Sequence, residues 1–150
     1  MERTYVRENT RGRERLRALT NRITDEELSL ILYAEGWTIA FALAHLAFWD
    51  QRRLVLIRKW KRQGVTPSPI DSDTTNDALL PFFLALPPRE AANLAISTAE
   101  ALDRELAELS PDLITAIKGL GDRHALNRAT HSKTHLDEIE ALLKNKSGRT

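Results

Sequence analysis

The stretch between Gly36 and Gly64 constrains the fold of this chain more than any other. Within it Ile39, Leu43, Leu46, Leu54 and Ile57 recur at helical spacing and form one apolar stripe along a helix over about 38–63. A helix with a single apolar stripe must bury it against other helices or a sheet. Three further segments carry matching stripes. Val6, Leu16, Leu19 and Ile23 lie in about 3–22, which Gly12 weakens in the middle. Ala91, Ala95, Leu102, Leu106 and Leu109 line about 88–109, where Pro88 suits the first turn. Leu136, Ile139 and Leu143 line about 126–144. No run alternates with period two, so no sheet is available as a partner. The expectation is an all-α four-helix bundle.

Short accessory helices punctuate the links. Thr24 followed by Glu27 matches a capping box and starts one of them. A polar stretch from Val65 to Thr75 reads as a loop, after which Asn76 caps NDALLPFFLAL up to the Pro87-Pro88 pair. Ser110-Pro111 opens another, which Gly119 and Gly121 close. The links are long enough for crossovers, so a plain up-down-up-down order is not required. Residues 1–150 read as one domain with a frayed tail at about 145–150.

Composition narrows the chemistry. A net charge of +1 gives no reason to expect a nucleic-acid partner. Two basic clusters, one from Arg3 to Arg22 and one at Arg58, Lys59, Lys61 and Arg62, are the features that favour one, but Glu2, Glu8 and Glu14 intersperse the first as on a solvated helix. Cysteine is absent, which excludes disulfides, thiolate metal sites and a cysteine nucleophile. The N-terminal MERTYVRENTRGRERLR has no apolar signal core, and no stretch approaches the roughly 18 apolar residues of a membrane span. The expected location is cytoplasmic, without membrane contact.

The four histidines carry the functional signal. His131 and His135 are four residues apart, a turn of about 400°, so both imidazoles share one helix face. His45 lies beside the main stripe of the second long helix, in the column of Ala42, Trp49 and Leu56. Three imidazoles from two helices would hold one metal ion and leave a coordination position open, as catalytic sites do. Taken singly, each histidine is also explained as a half-buried, hydrogen-bonded side chain. His124 is the alternative ligand, seven residues before His131 and near the start of its helix.

Two carboxylates have competing readings. Asp50 falls on the apolar stripe, where an unpaired charge is costly. It either pairs with an inward arginine such as Arg128 or orients a ligating imidazole. Glu138 is a candidate base or ligand, three residues beyond His135, or else a solvated helix charge.

At these residues the chain resembles the DinB/YfiT-like superfamily, whose members are assigned as metal-dependent enzymes. GWTIAFALAHLAFWD is similar to the family's helix with a tryptophan eight residues before a His-Leu pair, and THSKTHLDEIE to its terminal HxxxH helix. A Pro-interrupted middle lies between them. The resemblance runs from about Arg11 to Leu143. It implies a bundle of up-down-down-up connectivity, metal ligands at His45, His131 and His135, and a homodimer. It also implies diverse activities: some members transfer low-molecular-weight thiols, one branch isomerises maleylpyruvate, and many have no established activity.

An all-imidazole set without sulfur suits zinc or nickel. Such an ion activates either a thiol or a water, so transfer of a small thiol to an electrophilic small molecule and hydrolysis are the two expected chemistries. Phe41, Phe48 and Trp49 are candidates to contact the electrophile. A non-catalytic ligand-binding or scaffold protein is the competing class.

Overall fold

The computed structural model describes residues 3–122 and 125–147. Among the described residues seven helices follow in order: α1 Thr4–Arg22, α2 Asp25–Leu28, α3 Ile39–Gln63, α4 Ser72–Ala85, α5 Pro88–Ala107, α6 Pro111–Lys118 and α7 Ala129–Ser147. No β-strand occurs among the described residues, and the one isolated bridge joins Ile31 to Thr38. The protein is all-α.

Local chemistry fixes several helix starts. Thr24 and Glu27 form the reciprocal capping box, Thr38 accepts from the Phe41 amide, and Ser110 accepts from the Leu113 amide. Two boundaries differ from the sequence reading. Asp71, not Asn76, caps α4 by accepting from Thr74, so this helix starts five residues earlier. Asn76 is instead drawn inward by the indole N–H of Trp49 at 3.0 Å. α7 continues through Ser147, beyond the helix end expected at about 144.

The long helices pack through α1, α3, α5 and α7. α3 and α5 run in the same direction, with Arg58 and Lys61 late in α3 meeting Glu105 late in α5. α1 runs against α5: Tyr5 donates to the Leu106 carbonyl at 2.9 Å, and Arg89 donates to the Thr20 and Ile23 carbonyls at 3.0 and 2.8 Å. α7 follows α1, from Asn9 beside Ala129 to Arg15 beside Glu140. It lies antiparallel to α3, where His45 meets His131 and the later Asp50 meets the earlier Arg128. Gly12 permits the α1–α7 approach, since a Cβ there would stand 3.0 Å from the Ala129 Cβ.

The core has two apolar clusters. Leu16, Leu19, Leu43, Leu46, Ala95, Leu136 and Ile139 belong to one; Leu54, Ile57, Trp60, Leu102, Leu106 and Ile117 belong to the other. Each fully buried leucine or isoleucine contributes roughly 1.5–3 kcal/mol. Between the clusters lies a buried polar layer. Arg128 donates to both Asp103 oxygens at 2.5 and 2.7 Å, and Arg13 adds a bond to Asp103 at 2.8 Å. Asn9 accepts from the Ala129 amide at 3.2 Å and donates to the Leu126 carbonyl at 2.9 Å. It thereby satisfies a donor that the start of α7 leaves open. This layer fixes where α7 begins, and so where His131 and His135 face.

Candidate metal centre

α3 and the first turns of α7 bring three imidazoles together. One nitrogen from each of His45, His131 and His135 lies within 4.8 Å of the others. The Nε2 atoms of His45 and His131 are 3.2 Å apart, and the three ring-centroid separations are 5.1, 5.1 and 5.2 Å. Tetrahedral zinc with nitrogens at about 2.0–2.1 Å separates its ligand atoms by about 3.3 Å. The first pair already matches this spacing. His45 is buried, His135 half-buried and His131 exposed, so the cluster is anchored on one side and open on the other.

Two of the imidazoles, His45 and His135, suit a cation because burial favours their neutral form. Burial, then the neighbouring His131 and His135, lowers the His45 pKa to about 3. Burial also lowers that of His135, against the pull of Glu138. Their lone pairs are therefore available at neutral pH. His45 Nδ1 is buried with no hydrogen-bond partner among the described residues, which leave this ring's bonding capacity unmet. The three residues fit a divalent transition metal.

Trp37 and Tyr33 complete the surroundings. Trp37 packs on His45 with centroids 5.1 Å apart, which explains the tryptophan-to-histidine spacing seen in the sequence. Tyr33 reaches His135 Nδ1 at 2.6 Å. A tight turn puts it there: the Leu32 and Tyr33 amides both donate to the Trp37 carbonyl, and Gly36 has φ of 96°, a conformation that favours glycine. Burial, then the Glu138 carboxylate that attracts its proton, holds the Tyr33 hydroxyl well above its usual pKa. Glu138 thus acts on Tyr33, a residue that sequence reasoning did not single out. A tyrosine ahead of a glycine turn, in a link between helices, gives only a weak signal.

The other sequence candidates fall differently. Asp50 faces Arg128, with Nη1 to Oδ2 at 3.8 Å, and leaves His45 Nδ1 without an acceptor, so it does not orient that ring. Arg128 is committed to Asp103, a buried carboxylate that the sequence reading did not name. Burial first, then the repulsion of Asp103, raises the Asp50 pKa to about 7 against the opposing pull of Arg128 and Arg53. Phe41 and Phe48 pack on Phe83 of α4, Phe41 buried and Phe48 half-buried; of the three proposed aromatics only Trp49 lines the opening beside His45. His124 lies outside the described residues.

Two of the imidazoles, His45 and His131, border a cavity of about 800 Å³ together with Trp49, Trp60, Arg52 and Arg53. A second opening of about 860 Å³, between α1 and α6, contains none of the three histidines.

This helical arrangement and its three-histidine cluster agree with a comparison against known families, in which the DinB superfamily matches residues 8–142. The chain belongs to the DinB superfamily. No curated protein and no solved structure matches it significantly.

Proposed function

We propose that this chain is a divalent-metal-dependent enzyme that transfers a small thiol to an electrophilic small molecule. The observation that carries the reading is the convergence of three imidazole nitrogens within 4.8 Å at the edge of a cavity large enough for a substrate. His45, His131 and His135 hold the ion, for which zinc and nickel are the expected identities. When bound, such an ion lowers the pKa of a thiol or a water enough to make it a nucleophile at neutral pH.

The chain's own residues prepare the site. Tyr33 fixes the ring plane of His135 through Nδ1. With Glu138 attracting the Tyr33 proton, the Tyr33 oxygen accepts from Nδ1–H, and the lone pair of His135 is left on Nε2. Packing of Trp37 against His45 holds a second ring in place and keeps water from that side. The absence of cysteine leaves no protein thiol to compete with a substrate thiol for the ion. The exposed Leu80, Phe82 and Leu84 on α4, a helix without a buried residue, support a homodimer as the assembly.

Hydrolysis is the nearest alternative, because the same site would activate water. The test is a panel of cellular thiols and electrophiles, assayed with metal-loaded wild type and His131→Ala. Thiol-dependent turnover lost in the variant is expected. Metal-dependent ester or amide cleavage without any thiol reaction would make the protein a hydrolase. Turnover undiminished in the variant would separate the chemistry from the cluster, and complete inactivity would favour a binding protein.

A further inference from the structure

The cavity beside the histidines has a charge pattern of its own. α3 lines it with His45, Trp49, Arg52, Arg53 and Trp60, offsets that keep one face of the helix turned to the opening. Both tryptophans are pinned by their indole nitrogens: Trp49 donates to Asn76 Oδ1 and Trp60 to the Thr66 carbonyl, each at 3.0 Å. Their polar edges are thus satisfied by the protein, and their ring faces form fixed apolar walls.

The two arginines differ. Arg53 is held among carboxylates: burial lowers its pKa, while Asp122 and Asp50 oppose the shift. Arg52 instead donates twice through one nitrogen, Nη2, to the Ser68 carbonyl at 3.2 Å and the Ser68 hydroxyl at 2.9 Å. It pairs with no carboxylate among the described residues. Five N–H donors in a planar fork belong to each guanidinium, so Nε and Nη1 of Arg52 keep theirs for another acceptor. Arg53 beside it adds a second positive charge.

We propose that this cavity binds a carboxylate-bearing small molecule, with Arg52 as the anchor of the carboxylate and Trp49 and Trp60 as walls for its apolar body. The free Nε–H and Nη1–H of Arg52 can each give a carboxylate oxygen a charge-assisted hydrogen bond. Asp122 in the same lining disfavours a phosphate dianion, which would need more positive charge than the cavity offers. Arg52 lies seven residues from His45, a rise of about 10 Å along α3. The ligand is therefore an extended molecule that reaches from the arginine towards the imidazoles. This names the substrate class of the site proposed above and rests on that reading for its orientation. The carboxylate belongs either to the electrophile or to the thiol.

Calorimetric titration of the full-length protein with 4-phenylbutyrate and 4-phenylbutyramide tests the first source. 3-Mercaptopropionate and its amide test the second. Wild type is expected to bind one of the two acids at least about tenfold more tightly than its amide. Arg52→Gln should remove that preference with the thermal midpoint unchanged, and Arg52→Lys should restore it in part. The preference should persist in His131→Ala, so the anchor is measured separately from metal content. If the metal-loaded protein shows no thiol chemistry, or that chemistry survives loss of the metal, while this preference stays intact, the cavity assignment stands and the enzymatic reading falls. Equal affinity for acid and amide in both pairs, a preference that survives in Arg52→Gln, or tighter binding of inorganic phosphate than of either acid would overturn the proposal.

Discussion

Replacing Asp50 with Asn should change how stability depends on pH. Asp50 is buried between the two apolar clusters, 3.8 Å from an Arg128 that is already bonded twice to Asp103. Its pKa rises from 3.8 to about 7, chiefly through burial. A carboxyl with a raised folded-state pKa favours folding while it is protonated. That contribution is fully present below the unfolded value and is lost as pH rises through the folded one. At about 1.36 kcal/mol per unit, ionising Asp50 costs wild type about 3 kcal/mol between pH 5 and pH 8. Asn is neutral throughout and nearly the same shape, and its neighbours keep their bonds. The stability of Asp50→Asn relative to wild type should therefore rise by about that amount across the interval. Urea unfolding of both proteins at pH 5, 6, 7 and 8 measures the difference, in which all shared titrations cancel. A constant difference across the four pH values would refute the reasoning.

Two further substitutions probe the site and its frame. Tyr33→Phe removes the hydroxyl that meets His135 Nδ1, and metal affinity should fall by about 10–100-fold with the helical circular dichroism unchanged; unchanged affinity in a zinc competition titration would remove Tyr33 from the site. Gly12→Val places bulk where a Cβ already stands 3.0 Å from Ala129, and should destabilise the fold by about 1–3 kcal/mol in urea unfolding. A neutral effect there would show that α1 and α7 separate without cost.

The parts of this protein legible in the sequence are those that local physics decides. The stripe from Ile39 to Ile57, bounded by Thr38 and Gly64, gives α3 because spacing, cap and stop all agree. His131 and His135 share a face by helix geometry alone. The misplaced start of α4 shows the limit: Asp71 and Asn76 are both good caps, and the tertiary bond from Trp49 decides which side chain is used elsewhere. Asp103 has the same difficulty. In ALDREL it resembles an ordinary surface charge, and only the arrival of Arg128 and Arg13 from distant segments makes it a buried partner. Tyr33 needs the turn at Gly36 before it can reach α7. Long-range polar contacts leave no periodic trace in a sequence, whereas apolar faces do.

On the proposed function, His45, His131 and His135 together hold one metal ion. Elemental analysis tests it most directly, on protein prepared without chelator or histidine tag and dialysed against zinc or nickel at about micromolar concentration. Wild type should carry one divalent ion per chain. His45→Ala should lose nearly all of it, and His124→Ala should retain it. Wild type that binds neither ion, or equal losses from the two variants, would contradict the claim.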